Sequence, residues 1–245
     1  MKIKVCGMRD GENIRQVSEL GVDYIGLIFW SHSPRHVTMI PTGAGIIPDR
    51  GSLFSSASAY DMTPQRVGVF VDEMPQSIIT RVVNFDLSVV QLHGHETPTM
   101  IRNLRRTIDP DLHPGIQMWK AISISPDNPA DLSVYKDYED CVDAFVFDTK
   151  TPMAGGSGQH FDWSVLDAYE GTKPYLLSGG IGPDDAERVK AFMESHPQCM
   201  GIDLNSRFES APAQKDVALL RQFLSHLPHQ SHSLGSAALL RKEPH

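Results

Sequence analysis

Eight short, continuously apolar runs punctuate this chain, at residues 3–5, 24–29, 67–71, 89–92, 118–122, 144–147, 175–177 and 201–204. A strand with one wet face alternates apolar and polar residues. A run that does not alternate reads as a parallel strand buried on both faces. Helical patterns separate most of these runs. Residues 13–20, 75–84, 98–107, 161–169, 183–195 and 215–224 carry apolar side chains at three- and four-residue spacing, and 129–138 does so more weakly. Pro183 ahead of Asp184 and Asp185 reads as a helix start. Eight strand–helix units in so few residues predict a (β/α)8 barrel, a TIM barrel, as a single domain. An open doubly wound sheet is the competitor, but no dinucleotide-type glycine fingerprint follows any of the strands.

One stretch breaks the alternation. Between residues 39 and 64 the chain holds Pro41, Gly43, Gly45, Pro48, Gly51 and Ser55-Ser56-Ala57-Ser58, with no helical period. A structureless loop of this length is unusual inside a compact domain. We read it as a second helix that is degraded or rebuilt around a surface insertion. The barrel is expected to span residues 1–225, with 226–245, a tail containing His and Ser, lying outside it.

Bulk properties narrow the function. The formal charge is −8 over 245 residues, which disfavours nucleic acid and anionic membrane as partners. No run approaches the roughly 18–20 apolar residues of a membrane span. The opening Met1-Lys2-Ile3-Lys4-Val5 is too short and polar for a signal peptide. Cys6, Cys141 and Cys199 form an odd set without metal-type spacing, so a reduced, cytoplasmic setting is expected.

In a parallel barrel the C-terminal strand ends share one mouth, where catalytic groups collect. Here those positions hold Cys6 and Gly7, Arg35, Asp72, His93, Asp148, Ser178-Gly179-Gly180, and Asp203 with Asn205-Ser206. Asp148 ends the run Ala144-Phe145-Val146-Phe147 and precedes Gly155-Gly156-Ser157-Gly158, which reads as a lid loop. One thiol and one carboxylate at two strand ends suggest an acid–base enzyme. Strands seven and eight commonly bind phosphate in this fold. Gly179 and Gly180 can bring bare backbone N–H groups to an anion. Ser206-Arg207-Phe208-Glu209 reads as a capping box for a short helix beside them. Taken singly, each residue has an ordinary structural reading. A first-strand Cys is usually a small buried hydrophobe. Asp148 could cap a loop, Arg35 could be a solvated charge, and Asp162 reads as an N-cap.

Context changes that balance. Lys4-Val5-Cys6-Gly7-Met8-Arg9, Gly26-Leu27-Ile28-Phe29 with Ser33-Pro34-Arg35, and Val67-Gly68-Val69-Phe70-Val71 resemble phosphoribosylanthranilate isomerase. So do Val90-Gln91-Leu92-His93-Gly94, Phe147-Asp148-Thr149-Lys150 with the glycine loop and Phe161-Asp162-Trp163, Leu177-Ser178-Gly179-Gly180, and Gly201-Ile202-Asp203-Leu204. The resemblance runs in register from residue 2 to about residue 216. It implies a barrel enzyme of tryptophan biosynthesis that uses no metal or organic cofactor. Its substrate would be a small phosphosugar, N-(5-phosphoribosyl)anthranilate, rearranged from aminoaldose to ketose by Amadori chemistry, in a monomer or a homodimer. By the same resemblance Asp148 is the general acid, Cys6 the general base, and Arg35 the clamp on the anthranilate carboxylate. Gly7 and His93 line the substrate pocket, and Gly179, Gly180, Asn205 and Ser206 hold phosphate.

The chemistry sets requirements for both groups. A free Asp titrates near ~3.9, so Asp148 should be buried to keep its proton. A free Cys titrates near ~8.5, so Cys6 should have a positive neighbour or a helix N-terminus. His93 with His95 forms a His-x-His pair that binds metal in some barrels, but no further ligands are evident at the other strand ends. His226, His229 and His232 are expected to be solvated. Two departures from the family pattern stand out. Asn205-Ser206-Arg207-Phe208-Glu209 replaces the usual Ser-Ser-Gly-Val-Glu, exchanging a glycine for a cation near the phosphate. Ala211-Pro212-Ala213-Gln214 alters the turn ahead of Lys215-Asp216.

Overall fold

The computed structural model describes residues 1–38, 41–42, 45–46, 64–125, 128–149 and 163–228. Eight parallel strands close into a barrel. In chain order they are β1 (Lys2–Val5), β2 (Tyr24–Ile28), β3 (Gln65–Phe70), β4 (Val89–Leu92), β5 (Gln117–Ile124), β6 (Ala144–Thr149), β7 (Tyr175–Ser178) and β8 (Cys199–Leu204). Each strand pairs with its sequence neighbours, and β8 returns to β1 to close the ring. Every expected run became a strand.

The surrounding helices are α1 (Gly11–Ser18), α2 (Pro75–Phe85), α3 (Pro98–Ile108), α4 (Ala186–Ser195) and α5 (Val217–Ser225). Local chemistry explains their starts. Asp10 caps α1 by accepting from the Asn13 N–H at 2.8 Å. Thr97 caps α3, with Pro98 in its first turn, and Asp216 caps α5. Two of the expected helices are tighter 3-10 turns, Pro129–Asp137 and Trp163–Ala168. The helix expected from 183 begins at Ala186 instead. The Asp185 carboxylate reaches back to the Gly182 N–H at 2.7 Å, closing a turn that holds Pro183 outside the helix. Between β2 and β3 the described residues form a small antiparallel ribbon, Pro41–Thr42 with Gly45–Ile46. The rest of 39–63, the glycine loop at 155–158, Asp162, and the tail from 229 onward lie outside the described residues.

Strand alternation sorts the core into two layers. Ile3 and Val5 face outward with Ile14 and Val17 of α1, while Cys6 faces inward with Val69, Trp119 and Val146. At the bottom of the barrel Tyr24 and Trp119 meet edge-on, ring centroids 5.0 Å apart. Toward the mouth the interior becomes polar. Lys4, Gln91 and Asp203 are all buried there.

Candidate active site

The strand register aligns one inward row across the top of the barrel. Lys4 of β1 pairs with Asp203 of β8, Asp203 with Ser178 of β7, and Ser178 with Asp148 of β6. Paired residues on parallel neighbours project to the same face, so this row forms one wall of the mouth. Cys6 lies two residues beyond Lys4 on that face. A cavity of about 480 Å³ opens there, lined by Cys6, Gln91, His93 and Asp148 and by the turns after β7 and β8.

Cys6 is almost sealed, at 4% exposure. Gly26 on β2 makes room for it, since a Cβ there would stand 2.7 Å from the Cys6 sulfur. Burial pushes the Cys6 thiol up. Lys4 pulls it down, Asp203 pushes it up again, and Lys215 also pulls it down. The positive neighbours that the chemistry requires are therefore Lys4, on β1 itself, and Lys215, just ahead of α5. Lys4 itself is buried and donates to Asp203 at 2.8 Å. Burial works against its charge, but Asp203 and Cys6 hold it above the ordinary lysine range.

Asp148 corrects an expectation. Its side chain keeps 32% exposure and stands 3.5 Å from the His93 Nε2. It sits at the rim of an open mouth instead of in a buried pocket. His93 lies within 3.4 Å of Ser123 as well. His95 turns away to Asp72 at 3.0 Å and is 96% exposed, so the His-x-His pair does not converge.

Arg35 and Gly7 belong together. Gly7 has φ +75°, and a Cβ on it would lie 2.5 Å from the Arg35 Cδ and 2.7 Å from the Asn205 Oδ1. Only glycine suits that backbone and lets both side chains pass. The Arg35 guanidinium forks onto Glu209, Nε donating to Oε1 at 2.8 Å and Nη2 to Oε2 at 2.6 Å. Lys215 pairs with the same carboxylate and donates to Asn205 Oδ1 at 3.0 Å. The expected capping box is thus replaced. Ser206–Phe208 is a single 3-10 turn whose preceding Asn205 makes no capping bond. A buried lysine and a half-buried arginine outcompete a backbone N–H for the Glu209 carboxylate.

The turn after β7 carries Gly179 at φ +89° and Gly180 at φ +67°, a backbone that favours glycine. Both line the cavity with Asn205, Ser206 and Arg207. Arg207 lies over Gly182, where a Cβ would be 2.8 Å from its Nε. The structure therefore brings Cys6, His93, Asp148, Gly179, Gly180, Asn205 and Ser206 to one cavity. Gly7 and Arg35 stand behind its wall.

Several site-forming residues were not singled out in advance. Lys4 could have been found as the inward neighbour of Cys6 at i−2. Gly26 is a mid-strand glycine, a known sign of close approach. Lys215 carried no local signal, and that of Glu209 misled, because its partner Arg35 is distant in sequence.

Residues 3–226 match the family model for N-(5'-phosphoribosyl)anthranilate (PRA) isomerase. This chain belongs to that family. An N-(5'-phosphoribosyl)anthranilate isomerase of Parabacteroides distasonis is 38% identical over 237 residues, covering 97% of this chain and 98% of the relative. One from Phocaeicola vulgatus is 39% identical, covering 93% and 98%. Among solved structures, phosphoribosyl anthranilate isomerase of Thermotoga maritima superposes with a TM-score of 0.69 at 27% identity, covering 92% of this chain and 98% of that one. As a family member the chain is a TIM-barrel isomerase of tryptophan biosynthesis. It converts N-(5-phosphoribosyl)anthranilate into 1-(2-carboxyphenylamino)-1-deoxyribulose 5-phosphate. No described helix is long and apolar enough to cross a membrane.

Proposed function

We propose that Cys6 and Asp148 perform this rearrangement across the mouth cavity. One observation carries the reading: a buried thiol with cationic neighbours and an accessible carboxyl line the same 480 Å³ space as the turns after β7 and β8. Asp148 protonates the ribose ring oxygen, and the anilino nitrogen lone pair opens the ring to a Schiff base. Cys6, as thiolate, removes the C2′ proton. The resulting enolamine tautomerises to the ketose. His93, at 3.5 Å, orients the Asp148 carboxyl. Arg35 stands behind the cavity wall with Glu209 on its Nε and Nη2 edge, so Nη1 is the part of its guanidinium left for the anthranilate carboxylate.

The phosphate sits against Gly179 and Gly180. Lys215 engages the Asn205 Oδ1, leaving the Asn205 amide nitrogen to donate, with Ser206 alongside. Arg207 supplies a cation at this end, and no partner occupies it among the described residues. The buried thiols Cys6, Cys141 and Cys199 are unpaired, in keeping with a reduced cytoplasmic setting. The barrel spans residues 1–225 in this reading, as a monomer or homodimer, without metal or organic cofactor.

The test is consumption of phosphoribosylanthranilate, read as loss of its fluorescence, in wild type, Cys6→Ser and Asp148→Asn, each with and without EDTA. The proposal expects metal-independent turnover in wild type and near-complete loss in both variants. EDTA-sensitive turnover, or an active Cys6→Ser, would overturn it.

A further inference from the structure

A lysine and an aspartate inside a barrel are costly in desolvation, and such a pair calls for a reason beyond stability. Lys4 is 0% exposed and Asp203 is 6% exposed, and they are bonded at 2.8 Å. Neither is fully satisfied. The Asp203 Oδ1 is buried with no hydrogen-bond partner. An ammonium carries three donors, and the Lys4 Nζ places one on Asp203. Cys6 lies two residues along on the same inward face, where the Lys4 charge favours charge on its sulfur. A protonated thiol has little use for those spare N–H groups. A thiolate would accept them.

We infer that Lys4 and Asp203 form a buried charge pair whose opposed fields set how readily Cys6 gives up its proton, with Lys4 the positioning residue for the thiolate. This rests on the reading of Cys6 as the base. The sign of each contribution follows from charge. Lys4 favours the thiolate and Asp203 opposes it, while Lys4 also screens Asp203 from the sulfur. The other charged groups around Cys6 leave the pair in control. Lys215 also favours the thiolate, but it is bound to Glu209, as is Arg35. From β2 the neighbour is Gly26, which carries no charge. Across the mouth, Asp148 and His93 act on Asp203 with opposite signs.

The test is the pH dependence of Cys6 alkylation by iodoacetamide in the intact protein. Modified peptides are resolved by mass spectrometry, so Cys141 and Cys199 serve as internal references. Burial holds Cys199 up at about 11. Lys4→Met should raise the Cys6 midpoint by about one unit, a tenfold loss of thiolate at fixed pH. Asp203→Asn should lower it, and Lys4→Arg should stay close to wild type. The ascending limb of kcat/KM against pH should move with the same signs. If Lys4→Met does not fold, Asp203→Asn decides alone, because its midpoint must fall. Unmoved midpoints, or midpoints moving the same way in Lys4→Met and Asp203→Asn, would overturn the pair while an inactive Cys6→Ser left the base reading intact. Full turnover by Cys6→Ser would instead overturn the base reading and the catalytic meaning of the pair together.

Discussion

The two flanks of the mouth are built on opposite principles. On the β1–β8 flank, Cys6 is buried beside the Lys4–Asp203 pair, and Arg35, Glu209 and Lys215 form a second ionic cluster behind it. On the β6 flank, Asp148 stands at a solvent-exposed rim with His93 as its neighbour. A buried thiol serves as a base only where fixed charges offset part of the burial that holds its proton. A rim carboxyl can instead exchange its proton with water between turnovers. The barrel thus confines its preorganised charge to the flank that needs it. Substitutions on the Cys6 flank should therefore cost stability as well as rate, and those at Asp148 should cost rate alone.

The largest effects should come from the proton-transfer groups. Cys6→Ser and Asp148→Asn should each lose about 10²–10⁴-fold in kcat/KM, measured by substrate fluorescence. Asp148→Asn should leave stability within about 0.5 kcal/mol of wild type in urea unfolding, as a partly exposed position allows. The pH profile sharpens the contrast. Burial holds the Cys6 thiol above the ordinary range, so less thiolate is present at neutral pH than a free cysteine would supply. The kcat/KM of wild type should accordingly climb with rising pH beyond neutrality. A rate already level from pH 6 upward would contradict this.

Gly26→Ala ranks next. The new methyl would meet the Cys6 Cα at 2.9 Å as well as its sulfur, and backbone cannot rotate away. Misplacing the base should cost kcat roughly ten- to a hundredfold, seen in steady-state kinetics. This position also shows where sequence reading reached its limit. The eight strands, the order of the units and the mouth positions were all legible, because burial on both faces imposes an apolar run that needs no partner to be recognised. Gly26 was visible within a motif, but its task depends on Cys6 approaching from the adjacent strand. Glu209 was misread as a capping residue because a capping box is a local pattern. Its actual partner Arg35 lies 174 residues away. The exposure of Asp148 was likewise a property of the assembled mouth, which no local pattern encodes.

Glu209→Gln tests the second ionic cluster. It leaves Arg35 and Lys215 without their anion, and both are largely buried. Destabilisation of about 3 kcal/mol is expected in urea unfolding, against almost none for Asp148→Asn. Equal stability of the two variants would remove the distinction between the flanks. The smallest effect should be that of Arg207→Gly, which removes an exposed cation near the β7 and β8 turns. It should raise KM a few-fold with kcat unchanged, and that difference should shrink as salt is added.

The most direct test of the division of labour is to trap the open-chain intermediate. Single-turnover mixtures of phosphoribosylanthranilate with Cys6→Ser or Asp148→Asn would be quenched with borohydride. The reduced N-ribityl anthranilate phosphate would then be quantified against an enzyme-free control. Cys6→Ser retains the acid that opens the ring but lacks the base that consumes the Schiff base, so the trapped species should rise above the control. Asp148→Asn should show no excess. Excess trapping in Asp148→Asn, or none in Cys6→Ser, would contradict the assignment of ring opening to Asp148 and C2′ deprotonation to Cys6.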